Sequence, residues 1–136
     1  MSEKTKAKGV KILITDDDKF LIDMYSIKFS EHGFEVEVAT SGEEAIKTLE
    51  GGFGPDICLV DLIMPGMDGF NLINTIRERN LAPGASIIIL TNLGQKEDIE
   101  KGLGLGVDGY IIKASATPTE VVNKVEQIAQ ETHTKK

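Results

Sequence analysis

The sequence predicts an α/β domain, a doubly wound parallel sheet of five strands with helices on both faces. Two observations carry this reading. Four short apolar runs, rich in Ile, Val and Leu, and one alternating segment each precede a stretch with helical spacing, and such β/α alternation favours parallel strands with crossover helices. The four apolar runs also each finish on a polar residue: Asp16-Asp17-Asp18, Asp61, Thr91 and Lys113. In an open parallel sheet the carboxyl ends of the strands gather at one edge, which is where ligands bind.

The first strand spans 10–16 (Val10-Lys11-Ile12-Leu13-Ile14-Thr15) and runs into the three aspartates. Asp18 is placed to cap the following helix. That helix carries Phe20, Leu21, Met24, Tyr25, Lys28 and Phe29 at spacings of three and four, and Gly33 stops it. Residues 34–39 (Phe34-Glu35-Val36-Glu37-Val38-Ala39) alternate between apolar and polar, as a half-exposed strand near a sheet edge does. Ser41 and Glu44 fit a capping box, opening a helix through Ala45, Ile46 and Leu49 to Gly51-Gly52.

The third strand, 56–61, ends at Asp61, and Pro65-Gly66 and Asp68-Gly69 break the chain into a tight loop. A helix with Phe70, Leu72, Ile73 and Ile76 follows, and Pro83-Gly84 turns the chain into strand 86–91. Gln95-Lys96-Glu97-Asp98 starts a helix that meets Gly102, Gly104 and Gly106, residues that weaken or shorten helices. Strand 109–113 ends on Lys113. Thr117-Pro118-Thr119-Glu120 then supplies a cap, a first-turn proline and a capping-box glutamate, ahead of an apolar face at Val121, Val122, Val125, Ile128 and Ala129.

At 136 residues the chain has the length of one domain. Its 40% hydrophobic and 27% charged content is ordinary for a globular protein. No run approaches the ~20 apolar residues of a membrane span, and the start of the chain lacks a signal-peptide apolar stretch. A net charge of −7 argues against direct nucleic-acid binding. The lone Cys58 reads as a small apolar core residue and suits a reducing cytoplasm. His32 and His133 are assigned no role. The expected organisation is a polar N-terminal tail at 1–9, a domain at 10–130 and a polar C-terminal tail at 131–136, with no room for an output domain.

The segments ILITDDD, CLVDLIMPGMDG, IIILTN and GYIIK, in that order, resemble the receiver domain of two-component response regulators. The resemblance covers roughly Val10 to Ala129 and implies the flavodoxin-like strand order 2-1-3-4-5, with strands 1 and 3 adjacent. Asp16 and Asp17 would then lie beside Asp61. Three close carboxylates repel one another, which raises a pKa unless a cation intervenes, and a hard divalent ion such as Mg²⁺ answers that repulsion. By resemblance Asp17 and Asp61 ligate Mg²⁺ directly, Asp16 does so through water, and the Ile63 carbonyl completes the protein's share.

The resemblance further implies that Asp61 is the nucleophile, forming an aspartyl phosphate. Lys113 would neutralise the transferring oxygens, and Thr91 would swing to hydrogen-bond the phosphoryl group. Tyr110 matches the aromatic whose rotamer tracks that swing. The partners implied are a histidine kinase or histidine phosphotransfer protein and a downstream protein or a missing output domain, read through the fourth helix, the fifth strand and the last helix. Ile63 and Leu93 would flank the path of the hydrolytic water.

Two positions depart from the family pattern. Asn92 follows Thr91 where a small Ala or Gly is usual, making the pocket mouth narrower and more polar. Ala114 follows Lys113 where a proline with a cis bond is usual, so the bond is either cis at ~3 kcal/mol or trans, which that cost favours. Two other classes compete with a phosphorylation switch. A Mg²⁺-dependent phosphohydrolase would need a second acid two residues after Asp61, where Ile63 stands. A phosphorylation-independent pseudo-receiver would not need Asp61, Thr91 and Lys113 together.

Overall fold

In the computed structural model, which describes residues 9–134, five parallel strands stand in the order β2-β1-β3-β4-β5. They are β1 (Lys11–Thr15), β2 (Glu35–Ala39), β3 (Ile57–Val60), β4 (Ser86–Thr91) and β5 (Gly109–Ile112). The helices are α1 (Lys19–Glu31), α2 (Gly42–Glu50), α3 (Gly69–Glu78), α4 (Lys96–Gly104) and α5 (Pro118–Thr134). Of the expected tails at 1–9 and 131–136, residues 1–8 and 135–136, together with the side chain of His133, lie outside what is described. Helix α5 itself continues past Gln130.

Two apolar layers sandwich the sheet. On one face Ile12, Ile14, Ile57, Leu59, Ile88 and Leu90 pack against α1 and α5; on the other Leu13, Cys58, Val60, Ile87 and Ile89 pack against α2 and α3. Strands β1, β3 and β4 are buried almost throughout, which is why their sequences are unbroken apolar runs. Strand β2 lies at the edge, and its glutamates face outward.

The caps follow local chemistry. Asp18 Oδ1 accepts from the Leu21 N–H, and Thr117 and Glu120 exchange both bonds of a capping box. The second expected box differs. Ser41 Oγ accepts from the Glu44 N–H, but the Glu44 carboxylate reaches past Ser41 to the backbone and hydroxyl of Thr40. His32 Nδ1 stands 3.0 Å from the Lys28 carbonyl at the end of α1.

One further expectation needs correction, and one open reading is decided. Phe20 fits the apolar spacing of α1 but is 77% exposed; the inward face is Ile22, Tyr25 and Phe29, because the helix is rotated to point its first turn at solvent. The glycines did not shorten α4 at Gly102, since the helix runs through Gly104 and only Gly106, at φ +77°, lies beyond it. No helix among the described residues is long and apolar enough to cross a membrane.

Candidate phosphorylation and metal site

Register brings the strand ends together. Thr15 is paired with Val60, so the next residues, Asp16 and Asp61, emerge side by side. The ladder runs one residue further to hold both: the Asp61 N–H donates to the Thr15 carbonyl, and the Asp16 N–H to the Ala39 carbonyl. Carboxylate oxygens of Asp16, Asp17 and Asp61 all lie within 4.8 Å of one another. Asp16 and Asp61 are buried, whereas Asp17 is exposed.

A tight turn presses the loop after Asp61 against the site. Asp68 caps α3 through the Asn71 N–H, and the Gly69 N–H donates to the Leu62 carbonyl. A Cβ at Gly69 would overlap the Asp61 carbonyl oxygen and stand 2.7 Å from Leu62 Cα, so only glycine permits this approach. The Asp-Gly pair marked a turn in the sequence; the close contact with Asp61 was not readable there.

Lys113 follows β5 and opens a short 3-10 turn through Ser115. Its ammonium reaches Asp16 Oδ2 at 2.7 Å and Asp61 Oδ2 at 3.3 Å, with the lysine side chain 10% exposed. Burial works against the ammonium, yet the hydrogen bond it donates to Asp16 and the charge of Asp61 outweigh it, and the Lys113 pKa lies above its ordinary value. Burial raises the Asp16 pKa, and the Lys113 hydrogen bond only partly offsets that. Among the described residues no peptide bond is cis, so Lys113–Ala114 is trans.

Thr91 is fully buried at the end of β4, and its Oγ1 stands 3.5 Å from the Leu93 N–H. Tyr110 is half-buried, and its hydroxyl donates to the Leu93 carbonyl at 2.7 Å. Leu93 therefore touches both residues of the expected switch pair, a link the sequence did not reveal. Ile63 is 54% exposed, and its N–H faces Asp61 Oδ1 at 3.4 Å. Asn92 is exposed beside Thr91.

The donor set is that of a hard divalent cation, with oxygen ligands and an excess of negative charge over Lys113. Receiver domains bind Mg²⁺ at such an aspartate cluster, and these residues fit it.

Comparison with known proteins agrees. The profile of the response regulator receiver domain matches residues 12–126, and the chain belongs to this family. Transcriptional regulatory protein ResD of Bacillus subtilis is 35% identical over 119 residues, 87% of this chain and 47% of that protein. Regulatory protein VanRc of Enterococcus gallinarum is 34% identical over 85% of this chain and 48% of its own length. The chain thus spans about half the length of the curated relatives it matches. A CheY-like response regulator receiver domain protein from Methanospirillum hungatei JF-1 has a TM-score of 0.83 at 28% identity, covering 95% of this chain and 100% of that one. Chemotaxis protein CheY4 of Vibrio cholerae has a TM-score of 0.80 at 26% identity, covering 88% and 98%. Receiver domains are phosphorylation-dependent signalling switches of two-component systems.

Proposed function

We propose that Asp61 accepts a phosphoryl group from a histidine kinase or histidine phosphotransfer protein, and that the modified chain presents an altered α4–β5–α5 surface to a downstream protein or an output domain. The observation that carries this reading is the convergence of Asp16, Asp17, Asp61 and Lys113, with Thr91 on the adjoining strand end. A bond forms between an Asp61 carboxylate oxygen and phosphorus as the donor's P–N bond breaks, the electron pair returning to the imidazole.

Asp17 and Asp61, with Asp16 through water and the Ile63 carbonyl, are the residues that would hold Mg²⁺. When bound, the ion neutralises charge on the transferring oxygens. Lys113 supplies the protein's own positive charge beside Asp61, and in this reading Thr91 turns its hydroxyl towards the added group. The chain is not a turnover enzyme in this reading; it catalyses its own phosphorylation and slow dephosphorylation. Its acidity disfavours direct nucleic-acid binding, and a reducing cytoplasm suits its buried Cys58.

Incubation with a small acyl-phosphate donor tests the reading. A Mg²⁺-dependent, stable mass gain of one phosphoryl group is expected. Continuous phosphate release would point to a phosphohydrolase, and an unmodified chain to a phosphorylation-independent binding module.

A further inference from the structure

Helix α4 meets the sheet through Gly102, its one buried residue. Two side chains fill the place where a residue there would carry its own. A Cβ at position 102 would stand 2.8 Å and 3.0 Å from Tyr110 Cε2 and Cδ2, and 2.9 Å from Ile89 Cδ1. These distances are shorter than packed carbons tolerate. Ile89 is fully buried in the middle of the sheet, so it has little room to retreat. The half-buried Tyr110 ring has solvent on one side and is the group that would give way.

The other end of Tyr110 is also held. Its hydroxyl donates to the Leu93 carbonyl at 2.7 Å, and the Leu93 N–H faces Thr91 Oγ1 at 3.5 Å. Contacts therefore run without a break from α4, through Gly102, Tyr110 and Leu93, to the Thr91 hydroxyl.

We propose that Gly102 is a positioning residue: its missing side chain is the socket that admits the Tyr110 ring, and the seated ring fixes the β4–α4 loop beside Asp61. The socket itself rests on packing alone. Its consequence for phosphorylation rests on the function proposed above.

Alanine is a better helix former than glycine. Gly102→Ala should therefore favour α4 while evicting the ring. Gly104, in the same helix, has nothing within 4 Å of a built Cβ, so Gly104→Ala brings the helix gain without the clash. Tyr25, 3% exposed, is the other tyrosine and serves as an internal reference.

The test is NMR of the full chain with ¹³C-labelled tyrosine rings and Ile methyls, followed by titration with beryllofluoride and Mg²⁺ as a phosphoryl mimic. In Gly102→Ala the Tyr110 ring signals should shift and its NOEs to the Ile89 methyl should vanish, with Tyr25 unmoved. Gly104→Ala should match wild type. The mimic concentration at half-saturation should rise several-fold in Gly102→Ala alone. Should Gly102→Ala fold poorly, its combination with Tyr110→Ala should regain most of the lost melting temperature, because the ring that the Cβ strikes is gone and the space it leaves lets the Ile89 methyl turn aside. Ring-to-Ile89 NOEs that persist in Gly102→Ala, equal displacement in Gly104→Ala, or non-recovery in the double variant would overturn the socket. An unchanged mimic titration in Gly102→Ala would overturn its link to the loop. A wild-type chain that ignores the mimic would count against the Asp61 reading and leave the ring contacts to decide the socket.

Discussion

The Lys113 ammonium is bound more closely to Asp16, at 2.7 Å, than to Asp61, at 3.3 Å. Lys113 is thus part of the acidic cluster's internal charge balance as well as a candidate partner for an incoming phosphoryl group. Replacing it with Met would leave two buried carboxylates uncompensated. Loss of one partner of a buried ion pair costs about 3–5 kcal/mol, and urea unfolding of Lys113→Met without divalent ions should show a loss of that order. Adding Mg²⁺ should restore part of it. A variant as stable as wild type in the absence of Mg²⁺ would mean that solvent already screens the cluster.

Mg²⁺ should raise the melting temperature of the wild-type chain at neutral pH, because the folded state alone assembles Asp16, Asp17 and Asp61. At a hundredfold excess over Kd the gain amounts to about 2.7 kcal/mol. Asp17→Ala should abolish most of it. Equal Mg²⁺ shifts in both proteins would remove Asp17 from the ligand set.

Alkaline pH should unfold the protein early. Burial pushes the Cys58 thiol from 9.0 up to about 12, and burial also raises Tyr25 and Tyr110. Lys113 is raised by its carboxylate partners against the effect of burial. In each case the folded state keeps its proton where the unfolded chain has lost it. The stability these groups contribute is complete below the unfolded pKa values and falls as pH rises above about 9. Cys58→Ala should flatten the first part of that decline. In the native protein at pH 8, Cys58 should also resist thiol reagents that label it at once in denaturant.

The phosphorylated state should be long-lived. Ile63 and Leu93 are apolar and cannot orient a water for in-line attack, and exposed Ile63 stands beside Asp61. Decay of the phosphoprotein after donor removal should be slow in wild type and faster in Ile63→Asn or Leu93→Lys. Fast decay in wild type, or no acceleration in either variant, would show that these side chains do not govern the water.

The strands and caps were legible because their signals are local: unbroken Ile, Leu and Val at β1, β3 and β4, Asp18 before α1, and Thr117 with Glu120 at α5. The convergence of Asp16, Asp17 and Asp61 followed from strand order. What stayed hidden depends on contacts between distant segments. Gly102 reads as a weakness in a helix until Tyr110 is seen lying against it, and Gly69 as a turn residue until its approach to the Asp61 carbonyl is known. Phe20 misled because helical spacing gives the period of an apolar face but not which side of it the sheet covers.

The most direct test of the account is phosphorylation of wild type and Asp61→Asn by a labelled small acyl phosphate, with the folded state of each followed by circular dichroism. Asp61→Asn removes the nucleophile and one repelling charge while keeping the Asp16–Lys113 pair, so without Mg²⁺ it should be at least as stable as wild type. Wild type should take up one phosphoryl group in a Mg²⁺-dependent manner, and the folded variant should take up none. Labelling of Asp61→Asn at the wild-type level would contradict the assignment of Asp61 as the phosphoryl acceptor.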